Sequence, residues 1–332
     1  MALLFMDGFE YADAYLAKKW DYQSSGSVGT AQARTGTSSM DGGILGKVVA
    51  ASGDTAILGF GVYYGGGAWH VGVDIPGWTS LCVVSGETDG TLNVRQGSHT
   101  GTILGTTGPG TVRLDAWNYI EVKFFLSDTV GTAVVKLNSA TVITVPATDL
   151  CLGTYSTWTS VEFTVGSYNF FDDIYVCDGS GGINDDFLGE CRVVTLLPQT
   201  DAVAAGSNAS FTCSGGTDHG ALVDEASPDD DTSYLSSSTL NHVDSWQYPA
   251  LGYTGTIKGV QMSLAARKSD SGTRAIAAVT RPVATNRVHA TNHYIGTSYA
   301  YWMSIWETNP EDSGAWEVAD VDGAEFGVKV TV

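Results

Sequence analysis

Carboxylates are the first groups to weigh, because a β-rich chain can cleave a glycosidic bond with two of them about 5–5.5 Å apart on one strand face. Glu87-Thr88-Asp89 begins such a pattern, but Thr91 and Leu92 stand where a second glutamate is needed. Asp172 and Asp173 are adjacent, so on a strand they point to opposite faces; their position predicts a cap or loop tether. His289 and His293 have the spacing of a zinc helix, yet the intervening Ala-Thr-Asn lacks the glutamate base and favours loop. No G-x-S-x-G elbow is present. Gly65-Gly66-Gly67 and Gly108-Pro109-Gly110 lack the lysine of a phosphate cradle and read as turns. The acidic run Asp224, Glu225, Asp229, Asp230 and Asp231 clusters hard oxygen ligands and is the one candidate for Ca²⁺. It lacks the order of a calcium loop, and a solvated loop is its ordinary role. No other cofactor is expected, and the chain is expected not to be an enzyme.

Aromatic side chains are the second resource. The stretch YYGGGAWHVGVDIPGW over 63–78 mixes glycine turns with rings, making Tyr63, Tyr64, Trp69 and Trp78 the candidate surface for a glycan or partner. An interior strand with glycine turns is the competing reading. The stretch 299–306 has bulky residues on both faces, so Trp302 and Trp306, or Phe326 and Val328 of the last strand, are candidates for a subunit or domain contact. A strand buried on both sides within its own domain explains the same pattern.

The elements that must position these groups are strands. Charged residues are 16% of the 332 and Gly numbers 41, which suits short strands and tight turns rather than helices. Ile120, Val122, Phe124 and Leu126 alternate with Tyr119, Glu121, Lys123 and Phe125, a half-buried strand. Further strands are expected over 158–165 and 170–177, and a short helix in YADAYLAKKW with Asp13 as cap. In the second half, alternation over 260–266 turns at KSDSGT into RAIAAVTR as a hairpin, and strands follow at 299–306 and 326–332. DGSGGINDDFLGE, 178–190, reads as a connector. The expected fold is all-β: two consecutive antiparallel β-sandwich, jelly-roll-like domains, 1–177 and 192–332, with a Gly/Asp-rich linker over 178–191.

The formal charge of −20, from 36 acidic and 16 basic residues, repels phosphate and disfavours nucleic acid and anionic bilayers. No stretch approaches the roughly 20 apolar residues of a membrane span. Cys82, Cys151, Cys177, Cys191 and Cys213 are odd in number and widely spaced, so free thiols and a reducing site of synthesis are expected, with Cys177–Cys191 the one credible bridge.

Two resemblances add to this reading. LLFMDGFE at 3–10, FDDIYVCD at 171–178 and AWNYIEVKFFL at 116–126 resemble the first, last and central strands of concanavalin A-like and laminin-G-like lectin sandwiches. That implies first and last strands side by side. The whole chain resembles tailed-phage virion proteins of tail or fibre type, on MALLFMDGFEYADAYLAKKW, DDIYVCDGSGGINDDFLGECRVVTLLP, VDEASPDDDTSYLSSST and WEVADVDGAEFGVKV. The resemblance implies a non-enzymatic virion protein, made in the host cytoplasm and carried on the particle. The expected role is a tail fibre, tail-tip or adhesin component contacting a host-surface glycan or other virion proteins. A capsid decoration or head-fibre protein is the alternative, and a phage-borne glycan hydrolase is disfavoured by the broken carboxylate pattern. Folding from residue 3 without a coiled-coil shaft keeps the decoration alternative open. Low Lys and Arg content and numerous aromatics lead to the expectation of a homo-oligomer, a trimer by preference.

Overall fold

A single strand of 19 residues, Ser160–Asp178, organises the N-terminal half. The computed structural model describes residues 2–201, 208–282 and 284–332. It divides into two units, Met1–Val194 and Thr195–Val332. The first unit holds β1 (Leu3–Asp7), β2 (Tyr22–Ser24), β3 (Ser27–Gly29), β4 (Ser39–Val48), β5 (Thr55–Tyr64), β6 (Trp69–Ile75) and β7 (Thr79–Gly86). It continues with β8 (Leu92–Gln96), β9 (Ile103–Thr106), β10 (Ala116–Phe125), β11 (Gly131–Leu137), β12 (Ala140–Thr148) and β13, the long strand.

The first half of β13 pairs with β4 and β6, and its second half with β5 and β1 and, at Phe170 and Phe171, again with β4, all antiparallel. The strand bends between, where Tyr168 adopts φ +69°. One sheet therefore runs β12-β11-β10-β5-β13-β1, the other β4-β13-β6-β7-β8-β9. First and last strands do lie side by side, with Leu3 opposite Cys177 and Asp7 opposite Ile174. Between the sheets, Phe60, Trp69, Phe163 and Phe171 interlock edge to face with centroids 5.7–5.9 Å apart for the pairs Phe60–Trp69, Phe60–Phe163, Trp69–Phe171 and Phe163–Phe171. Their β-branched and aliphatic neighbours at alternate positions, such as Val62, Val71 and Ile120, are wholly buried. The alternation read from sequence is this inner face.

Three local expectations are corrected. Asp13 does not cap the short helix Leu16–Lys19; its carboxylate accepts the Val28 backbone N–H instead. The segments 158–165 and 170–177 are one strand rather than two. The stretch 178–191 is not a free connector: residues up to 194 belong to the first unit, and 186–193 lie as a strap on the outer face of the β5–β10 sheet. That strap buries Glu121 and Tyr119, the face expected to be wet.

The second unit is also antiparallel β. Ala275–Arg281 lies between Glu325–Val330 and the short strand Arg287–Val288, whereas Val260–Ala266 pairs with Ala300–Trp306. The hairpin expected around KSDSGT is therefore absent. Every residue of Ala275–Arg281 is buried, so it takes the interior of the larger sheet, leaving 260–266 to the smaller one. The two sheets enclose Trp246, Met262, Ile276, Trp306, Phe326 and Val328.

Candidate functional site

The four aromatic residues of the 63–78 stretch separate. Tyr64 and Trp69 point into the sandwich, 3% and 1% exposed, with the Tyr64 hydroxyl donating to the Glu87 carbonyl. Both are core residues, correcting their assignment to a binding surface. Tyr63 faces outward on the β5–β10 sheet, edge to face with Trp117 at 5.8 Å and Phe170 at 5.9 Å. Trp78 faces outward on the other sheet, held by a β6–β7 turn in which it takes φ +60°. Its ring occupies the space a side chain at Gly46 would need: a Cβ there would lie 2.4 Å from Trp78 Cζ3. Tyr22 flanks it at 5.6 Å.

Strand register surrounds Trp78 with polar groups. Gly46 is opposite Glu162, and Glu162 is opposite Gly72. One step along, Thr164, His70, Ser85 and Asn93 line up across β13, β6, β7 and β8 on the same face. His70 Nε2 lies 3.6 Å from Glu162 Oε1, and its ring stacks on that of His99 at 4.6 Å. Glu87 accepts from Arg95 at 2.9 Å, Asn93 at 2.8 Å and Ser85 at 3.2 Å. Burial pushes the Glu87 carboxyl up, but these bonds from Arg95, Asn93 and Ser85 outweigh it and hold it below its ordinary value. Asp74, wholly buried beyond Glu162, is pushed up to about 7 by burial and by the Glu162 charge, against a lowering by Ser80.

An aromatic plane beside fixed donors and acceptors suits a ring with an apolar face and hydroxyl edges. Arg95 is already paired with Glu87, so its guanidinium is committed within the face, whose polar groups serve as hydrogen-bond donors and acceptors. His70, His99, Arg95 and Glu162 escaped sequence reasoning. For His70 and Arg95 the signal was the alternation His70-Val71-Gly72-Val73-Asp74 and Leu92-Asn93-Val94-Arg95, polar on one face and apolar on the other.

The remaining candidates disperse. Asp172 and Asp173 sit in a β-bulge of β13, both buried and both tethering the 34–35 segment, as the cap-or-tether reading required. Glu225 and Asp229 share the Ser233 hydroxyl, Asp231 pairs with Arg267 at 2.7 Å, and Asp224 is exposed. The Tyr299 hydroxyl donates to the Asp230 carbonyl. Among the described residues no three His, Cys, Asp or Glu side chains converge as a metal site. His289 and His293 each use Nε2 within the fold, on the Ile305 carbonyl and the Ser304 hydroxyl. Trp306, Phe326 and Val328 are core of the second unit, which corrects their placement at a contact, and half-buried Trp302 packs against that core. Cys82 and Cys151 are free thiols, both buried. Among the described residues no helix is long and apolar enough to cross a membrane.

No protein-family model and no curated protein matches the chain. Among solved structures it is similar to a Bacillus subtilis protein of unknown function with a galectin-like fold, at 10% identity and TM-score 0.37, over 54% of this chain and 96% of that one. It is similar to the alginate lyase vAL-1 from a Chlorella virus, at 10% identity and TM-score 0.35, over 51% and 98% of the two chains. A tetrameric galectin from the ball sponge Cinachyrella matches at 15% identity and TM-score 0.31, over 41% and 99%.

Proposed function

We propose that this chain is a non-enzymatic virion protein of a tailed phage, a tail-associated adhesin whose first unit binds an uncharged glycan of the host surface. The observation that carries the binding half is Trp78, seated over Gly46 on the outward sheet face that also carries the His70–Glu162 and Glu87–Arg95 pairs. A pyranose ring would stack on the indole and offer its hydroxyls to Glu162, His70, His99 and Arg95. With Arg95 committed to Glu87, its guanidinium is not left to pair with an acidic sugar, which favours a neutral one. The resemblance of four separated sequence stretches to tail and fibre proteins supports the virion half.

A binding role also agrees with the state of the carboxylates. Glu87 is committed to three donors and Asp172 and Asp173 are buried under their own loop, so none is poised as a proton donor facing a free nucleophile. Equilibrium binding to host-surface oligosaccharides should be abolished by Trp78→Ala and weakened at least tenfold by Glu87→Gln, with no reducing ends released. Affinity that survives both changes, or sugar release by the wild type, would sink the glycan reading. Immunogold labelling of intact particles tests the virion assignment separately, and label absent from them would sink it.

A further inference from the structure

The outer face of the β5–β10 sheet is built to hold an extended peptide. Glu121, 1% exposed, accepts the Gly189 backbone N–H at 2.8 Å and the Tyr175 hydroxyl at 2.6 Å. Asp173 accepts the Val193 N–H at 2.7 Å. Arg34 Nη1 donates to the Cys191 carbonyl at 2.8 Å, and Gly61 leaves the space its side chain crosses. Lys123 reaches Asp186 at 3.2 Å, and Lys136 lies 4.1 Å from the Phe187 ring centroid. The seat thus reads backbone amides with two carboxylates, a carbonyl with a guanidinium, and an acidic-aromatic pair with two lysines.

The occupant is this chain's own 186–193, and its hold is polar. None of residues 186–193 is fully buried, so little apolar burial retains them. The chain leading in, 179–185, contains Gly179, Gly181 and Gly182 and is mostly exposed. A glycine-rich, solvated hinge followed by a specifically seated strap is the arrangement in which one copy can lend an element to another. Contacts made in trans are those made in cis, so exchange loses none, and protein concentration and hinge length set the balance. Seat and strap are complementary in charge: Arg34, Lys123 and Lys136 are three of only 16 basic residues and meet Asp186 and Glu190 of the strap, although the chain as a whole carries −20.

The geometry points to strap exchange: the seat formed by Glu121, Asp173, Arg34, Lys123 and Lys136 takes residues 186–193 of a second copy of this chain as well as its own. Association then runs through the first unit, not through the aromatic strands of the second, and multiplies whatever each copy binds.

Glu190 Oε1 lies 3.4 Å from Ser139 Oγ, both exposed, which marks a reporter position. Full-length S139C/E190C in a Cys191→Ser background, co-refolded from isotopically heavy and light protein, is treated with a short bismaleimide and digested. Exchange predicts peptides joining residue 139 of a heavy copy to residue 190 of a light one, in a share rising with protein concentration. A second variant lacking Gly181 and Gly182 shortens the hinge and should raise the oligomer fraction in light scattering. Links confined to copies of one label, no 139–190 links at all, or a shortened-hinge protein that stays folded and monomeric would each overturn it.

Discussion

Arg34 Nη1 stands 2.6 Å from Asp173 Oδ2, with 14% and 0% of the two side chains exposed and the guanidinium 4.5 Å from the Tyr119 ring centroid. Two residues far apart in sequence form a buried ion pair, and the same guanidinium fastens the strap. Removing one partner strands the other charge away from water. Arg34→Met should therefore cost about 3 kcal/mol in chemical denaturation. It should also speed hydrogen exchange at the amides of Gly189 and Val193, which the seat protects. Unchanged exchange at those two amides would show that Arg34 does not hold the strap.

The strap also redirects proteolysis. Residues 181–185 are mostly exposed, while 187–193 are largely anchored by Glu121, Asp173 and Arg34. A low-specificity protease should cut first within 181–185 and only later within 187–193, as read by mass spectrometry of early fragments. First cuts at 187–193 would mean the seat is open most of the time.

How much of this was written in the chain depends on the range of the interaction. The inner face of β10, Ile120, Val122 and Phe124, was legible because burial on one side of a strand imposes period two. The adjacency of β1 and β13 followed from resemblance. What stayed hidden were pairings that depend on register between distant segments: Gly46 beneath Trp78, or Arg34 on Asp173, 139 residues away. The Gly/Asp-rich strap was misread as linker because its composition is that of a loop, and only Glu121 and Asp173 give it a fixed place. The hub at Asp7, which accepts from Phe9 N, the Tyr11 hydroxyl, Lys19 and Trp20 Nε1, was likewise spelled out only as an acid before aromatics.

Two buried acids tie stability to pH. Burial raises Asp172 to about 8, with the Asp173 charge adding to it, and raises Asp74 to about 7. Each binds its proton more tightly in the folded chain than in the unfolded one, where the value is near 3.8. Stability from this source is complete below pH ~4 and falls as pH rises toward 7–8. Asp74→Asn cannot ionise, so it should match the wild type near pH 4 and exceed it by roughly 4 kcal/mol at pH 8. Equal unfolding free energies of the two proteins at pH 8 would remove Asp74 from the account.

In the second unit Trp306 is 7% exposed, and its carbonyl accepts from Trp316 Nε1 at 3.1 Å. Trp306→Ala should behave as a core truncation, costing about 3–5 kcal/mol, with no change in oligomeric state beyond that caused by unfolding. Light scattering and denaturation on the same sample separate the two effects. A stable variant with a smaller assembly would return Trp306 to a subunit contact.

The tightest test of the binding face leaves its polar groups alone. Gly46 has ordinary strand geometry, opposite Glu162 in β13 and Tyr22 in β2, so alanine is compatible with its backbone. A methyl there would sit 2.4 Å from Trp78 Cζ3 and 2.5 Å from Cη2, inside any van der Waals contact. The indole sits on a surface turn, so it can swing outward rather than force the strands apart. Gly46→Ala should therefore fold normally, shift tryptophan emission, and lower glycan affinity at least tenfold while leaving Glu87, Arg95 and His70 in place. Full affinity together with a shifted emission would show that the indole plane is not what the ligand stacks on.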